Sequence, residues 1–224
     1  MYLYLDSLDI DEIERYEPFI QGVTSTPTFA VRDNLADYGI DRFKDILNVL
    51  ARGKTLHISA PFAEADRIVE YMAFVTTHIR SNSLVFKLPC TETGVKVARR
   101  YGHQYNIGLH LVYTLGQVMM ANDTPAKYHY LLVGRGTEYG YDMKRLALLS
   151  RCPMLASIRN VDMVYEYADT KIPLTVPPKV MRALTECEHT ENGQAQFIKD
   201  FEAGNKDGFG RAYRIDGTAN GKWV

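Results

Sequence analysis

Eight times along 224 residues a short apolar run is followed by a segment whose apolar residues recur at helical spacing. That alternation confines the chain to a parallel sheet whose strands are joined by helical crossovers. The predicted strands are residues 2–5, 22–24, 55–59, 84–88, 107–113, 128–133, 154–156 and 172–176. Predicted helices follow at 9–16, 41–50, 63–79, 91–101, 115–121, 142–150, 161–167 and 179–185. Phe43, Ile46, Leu47 and Leu50, for example, share one helical face. Several strands are apolar throughout, as expected where both faces of a sheet are covered. Eight units in about 180 residues fit a compact (β/α)₈ TIM barrel. A doubly wound open sheet competes, but no GxGxxG follows the first strand. The expected organisation is a barrel over residues 1–190 and a C-terminal helix and tail over 191–224. Phe197 and Phe201, spaced i, i+4, suggest that this tail packs on the barrel or on a neighbouring subunit.

Hydrophobic residues make up 46% and charged residues 24%, the usage of an ordinary globular domain that buries enough surface to fold without disulfides. A net charge of −1 argues against a nucleic-acid binder, which would need a basic stripe. Cys90, Cys152 and Cys187 lack CxxC spacing, so no disulfide framework or zinc knuckle is expected, and free thiols fit a reducing compartment. The first residues, MYLYLDSLDIDEIE, are acidic and lack the basic start of a signal peptide. No run reaches the 18 or so apolar residues of a membrane span. The expectation is a cytoplasmic protein with no membrane partner.

Lys87 is the residue with the most chemical potential. It interrupts the apolar run LVFKL near the C-terminal end of the fourth strand, the end at which barrels build their active sites. An apolar wall disfavours the ammonium, and a partly neutral lysine attacks carbonyls to form a Schiff base. The competing reading is a snorkelling or salt-bridged strand-end lysine. Asp6, closing the first strand, would face the same end and shuttle protons, or cap the helix that follows. Ser157 and Arg159 in LASIRN come directly after strand seven, where barrels often bind phosphate, and Arg135 in VGRG after strand six is a second cation. Each arginine is equally readable as a surface residue. His110 in GLHLVY would face the lumen if strand five alternates regularly, with Leu109 and Leu111 outside, and would then relay a proton. A satisfied core histidine is the plainer reading. His57 and Ser59 occupy comparable levels of strand three. Metal binding by His57, His110 and His129 has no local motif behind it.

Several segments in order, YLYLDS, GVTSTP, VFKLPCTETG, LVYTLGQVMMA, VGRG, LASIRN and FIKDF, resemble the transaldolase family, and best its small branch that includes the fructose-6-phosphate aldolases. The resemblance spans essentially the whole chain. It implies a (β/α)₈ barrel of carbohydrate metabolism that forms a Schiff base at Lys87 with a ketose or sugar phosphate, Asp6 assisting proton transfer. It implies phosphate binding by Ser157, Arg159 and Arg135, with no metal and no organic cofactor. It also implies a homo-oligomer of five or ten chains, the C-terminal helix packing on a neighbour.

The departures cluster in the site. Where the family reads TTNP, this chain has Thr24, Ser25, Thr26, Pro27, so Thr26 replaces a substrate-binding asparagine. Ser59 stands for the strand-three acid or amide that holds a water, and His110 for the threonine holding the same water. Gly108 and Leu132 replace an asparagine and an aromatic residue. Two expectations follow: a Schiff-base enzyme with His110 in place of the ordered water and a changed substrate, or a non-catalytic sugar-phosphate binder or scaffold on the same barrel.

Overall fold

A computed structural model describes residues 2–32 and 38–204. Eight parallel strands close a barrel in sequence order. They are β1 Leu3–Asp6, β2 Gly22–Thr24, β3 Thr55–Ser59, β4 Leu84–Pro89, β5 Ile107–Val112, β6 Tyr128–Leu132, β7 Pro153–Ala156 and β8 Leu174–Val176. The helices are α1 Ile10–Tyr16, α2 Pro27–Arg32, α3 Ile40–Val49, α4 Ala65–Ile79, α5 Glu92–Tyr101, α6 Leu115–Asn122, α7 Val133–Glu138, α8 Met143–Leu149, α9 Val161–Glu166, α10 Pro178–Thr185 and α11 Glu188–Gly204. The chain divides into two compact units, Met1–Arg182 and Ala183–Val224. The first carries the barrel. In the second, α11 starts at Glu188, three residues before the expected 191, and exposes Phe197, Ile198 and Phe201. The glycine-rich end of the tail lies outside the described residues. No helix among the described residues is long and apolar enough to cross a membrane.

Caps set the helix starts where the sequence placed them. Asp9 caps α1 by accepting from the Asp11 and Glu12 amides, so the cap is Asp9 rather than Asp6. Thr91 caps α5, and Thr114 with Gln117 forms a capping box on α6. Two short helices exceed expectation. Pro27 opens α2, where no helix is predicted, since a proline at the first helical position gives up no bonded N–H. VGRG likewise forms the first turn of α7.

Outward strand residues such as Leu5, Ile58 and Leu88 are fully buried under the helices. The inward residues are aromatic and polar in the lower barrel. Tyr4 and His57 rings lie 5.1 Å apart, His57 and Tyr128 4.7 Å, and Tyr128 and Tyr130 6.1 Å. His57 is hydrogen-bonded on both nitrogens, to Thr55 Oγ1 at 2.6 Å and to the Tyr130 hydroxyl at 2.5 Å. Its pKa is pushed well below the usual value by burial and by the charge of Lys87, so it is a neutral, satisfied interior histidine. His129 bonds Ser150 Oγ at 2.8 Å. Among the described residues, no three His, Cys, Asp or Glu side chains gather as metal ligands.

Gly108 makes room for this plug. A Cβ there would stand 2.5 Å from Tyr130 Cε2 and 3.2 Å from Tyr128 Cβ. Overpacking of this kind costs about 1–3 kcal/mol, which is the expected loss for Gly108→Ala in urea unfolding. Combined with Tyr130→Leu, Gly108→Ala should cost measurably less than the two single losses added together, because the clash is removed with the ring.

Candidate active site

The C-terminal ends of the strands surround a cavity of about 850 Å³. Every residue to which the sequence gives a catalytic or substrate-binding role lines it, Lys87, Asp6, His110, Ser157, Arg159, Arg135, Thr26 and Ser59, whereas His57 and His129 do not. Leu132, at one of the divergent positions, lines it too.

Lys87 reaches the cavity because strand alternation turns it inward. Its β4 neighbour Phe86 packs outward, 6.5 Å from Tyr71 and 5.9 Å from Tyr105. Ser59 of β3 and Gly108 of β5 are its register partners. Its side chain is only 4% exposed, and Nζ lies 5.6 Å from the Tyr130 ring centroid. Burial lowers its pKa to about 8, against the opposing pull of Asp6. A usable fraction of neutral amine is therefore present near neutral pH.

Asp6 pairs in register with Thr24 of β2. Thr24 Oγ1 donates to Asp6 Oδ1 at 2.6 Å, and Thr175 Oγ1 of β8 lies 2.5 Å from Thr24 Oγ1. Since Thr24 has one proton and gives it to the carboxylate, the Thr175 hydroxyl must donate to Thr24. This relay of two threonines orients Asp6. Alternation makes Thr24 legible in the sequence at the level of Asp6, but the link to Thr175 requires the closed sheet. Tyr38 was not legible at all. It precedes α3, and its hydroxyl accepts from the Ser59 amide at 2.6 Å, bracing the end of β3.

Strand five does not alternate as expected. Leu109 pairs with His129 and Val112 with Leu131, so β5 holds one extra residue there. Leu111 takes a left-handed φ of 60°, and both His110 and Leu111 line the cavity. A β-bulge re-aims side chains in this way, and Leu111 is turned in rather than out. Burial and the charge of Lys87 push the His110 pKa to about 3. The imidazole is thus neutral near neutral pH, able to donate one hydrogen bond and accept another.

Arg135 in α7 and Arg159 after β7 flank the opposite edge. Arg159 NH2 donates to Glu138 Oε2 at 3.1 Å, and Arg135 NH1 to the Tyr113 hydroxyl at 3.3 Å. Both groups of the Arg159–Glu138 pair are about half exposed, so the pair is weak and an anion can compete with it. Gly134 allows the two loops to meet. A Cβ there would stand 2.2 Å from Ser157 O and 3.0 Å from Arg159 Cγ. Ser157 has a φ of 61°, a conformation that serine adopts only under local constraint.

No protein-family model matches the chain. It is 27% identical to a "Probable transaldolase" of Thermoplasma acidophilum, over 93% of this chain and 98% of that protein. A "Probable transaldolase" of Bartonella henselae is 26% identical, over 90% and 97%. Among solved structures, a thiamine phosphate pyrophosphorylase from Pyrococcus furiosus superposes with a TM-score of 0.56 at 13% identity, over 79% of this chain and 85% of that one, a likeness of fold alone. The chain is a distant homologue of the small probable transaldolases, matched over nearly their whole length.

The buried ammonium is a cost that can be measured. It is fully present below pH 8 and lifts as pH rises from about 8 to the unfolded value of 10.5. Lys87→Met, similar in volume and uncharged, is expected to raise the unfolding free energy by about 3 kcal/mol at pH 7. That gain should shrink as pH climbs toward 10.5, when followed by urea unfolding across pH.

Proposed function

We propose that the chain is a transaldolase-like enzyme that holds a phosphorylated ketose or small carbonyl compound in the barrel mouth and joins it to Lys87 as a Schiff base. The observation that carries this reading is a lysine buried in the cavity, with its pKa lowered to about 8, between a threonine-oriented aspartate and an arginine-lined edge. Distant homology to probable transaldolases over nearly the full length supports the same chemistry.

In this mechanism neutral Lys87 Nζ adds to the carbonyl carbon, and the resulting carbinolamine loses water to give an iminium. The iminium accepts the electron pair of the bond between its α carbon and the hydroxyl-bearing β carbon as that bond breaks, and an enamine remains on Lys87. Asp6 takes the hydroxyl proton from the departing aldehyde, its carboxylate held in place by Thr24 and Thr175. His110, neutral, hydrogen-bonds the water or hydroxyl that leaves or returns. Arg135, Arg159 and Ser157 take the phosphate, which displaces Glu138 from Arg159. Thr26 and Ser59 offer hydroxyls to the part of the substrate nearest Lys87. The enamine then takes a proton, which is aldol cleavage, or adds to a second aldehyde, which is transfer, and water hydrolyses the resulting iminium to release the product and free Lys87. In the same proposal, a second copy of the chain covers the exposed Phe197, Ile198 and Phe201 of α11. Light scattering should then give an oligomer that Phe197→Ser combined with Phe201→Ser dissociates.

Borohydride reduction with fructose 6-phosphate or dihydroxyacetone, followed by peptide mass spectrometry, tests the Schiff base. A reduced adduct is expected on the Lys87 peptide and none in Lys87→Met; its absence with every ketose donor would overturn the proposal. Its initial rate should rise about tenfold per pH unit up to about pH 8 and then level, tracking the neutral amine. Arg135→Gln or Arg159→Gln should raise KM for the phosphorylated substrate by about 10- to 100-fold, leaving dihydroxyacetone unaffected.

A further inference from the structure

The cavity is chemically polarised across the barrel. In a closed eight-strand sheet running in sequence order, β2 stands opposite β6 and β3 opposite β7. The segments after β6 and β7 contribute Arg135 and Arg159 to the lining. The segments after β2 and β3 contribute Pro27, Phe29, Pro61 and Phe62 together with Thr26 and Thr28, and among the described residues none of their lining side chains is ionisable. Phe62 is held in place: the Arg67 guanidinium lies 4.4 Å over its ring, and the Tyr71 ring packs 5.7 Å away at 61°. A ring fixed on both sides presents a ready-made wall, so a ligand loses little ordering the site when it packs there.

From this arrangement we infer that the native ligand is amphipathic: an anionic group, a phosphate, over the Arg135 and Arg159 edge, and an apolar, preferably aromatic, group against Phe29 and Phe62, with the carbonyl between them. The inference rests on the Schiff-base reading only for the carbonyl in the middle. A polyhydroxylated chain laid across the cavity would lose water from its hydroxyls against phenylalanine and proline, which return no hydrogen bonds. An apolar end loses none and gains contact area. Ser59 is the register partner of Lys87 and, with the lining hydroxyls of Thr26 and Thr28, suits the polar group beside the carbonyl. A cavity of about 850 Å³ lies in the upper part of the range that ligand pockets occupy, which leaves space for such an end.

Isothermal titration of the full-length wild-type protein with two phosphate monoesters that lack a carbonyl, glucitol 6-phosphate and 6-phenylhexyl phosphate, tests the polarity apart from the chemistry. The phenyl ester is expected to bind at least about tenfold tighter, a preference within reach of an apolar pocket. Phe62→Ser, and independently Phe29→Ser, should reduce that preference by weakening the phenyl ester without weakening glucitol 6-phosphate. Equal binding, tighter binding of the polyol, or a preference that neither substitution moves would overturn the inference. Neither probe can form a Schiff base. Failure of borohydride trapping therefore bears on the Lys87 chemistry alone, and failure here bears on the apolar wall alone.

Discussion

Taking the ammonium of Lys87 out of water is the interaction around which the rest of the site is arranged. An inward strand position in a closed barrel has neighbours on every side, and here they are Ser59, Gly108 and the face of Tyr130. None of these restores the hydration that the charge loses, so the amine is driven toward its neutral form. Asp6 opposes that drift without cancelling it. The balance leaves a nucleophile available near neutral pH, and the packing of the surrounding barrel has to offset the cost of holding it there.

The lower barrel has its own consequences. Tyr4, His57, Tyr128 and Tyr130 fill the axis where aliphatic side chains more often pack, and their polar atoms are linked in part through His57. Tyr130 belongs to both levels. Its hydroxyl is fastened below to His57, while its ring forms part of the cavity lining and lies under Lys87 Nζ. Gly108 is what lets the ring lie so close to β5. The loss of a side chain at one divergent position and the bulk at a neighbouring strand are thus one packing arrangement. The bulge two residues further on turns Leu111 inward beside His110, which adds apolar surface to the rim at the same place.

At the far edge, backbone contact rather than side-chain chemistry sets the geometry. The Gly134 amide donates to Ser157 O at 3.2 Å, joining the start of α7 to the segment after β7. That contact puts Arg135 and Arg159 on one rim. With the phenylalanines on the other, the cavity has a direction, and in the proposed reaction that direction aligns the substrate before any bond forms. Such alignment is where much of the advantage of a bound reaction arises.

The sequence by itself determined the architecture, because the alternation of apolar runs with helical periods admits few arrangements and the caps at Asp9, Thr91 and Thr114 lie beside the residues they serve. It also determined that Lys87, Asp6, Ser157 and Arg159 come at the C-terminal ends of their strands, since strand direction follows from the crossovers. What it left to the tertiary structure has a common physical reason: the interactions join residues far apart in the chain. The Thr175 to Thr24 to Asp6 relay exists only once β8 closes against β1. Tyr38 reaches Ser59 from a segment without periodicity. The inward turn of Leu111 depends on a register shift against β6 that no local pattern announces. The opposition of arginines and phenylalanines across the cavity is a property of ring closure, which sets strands two and three against six and seven.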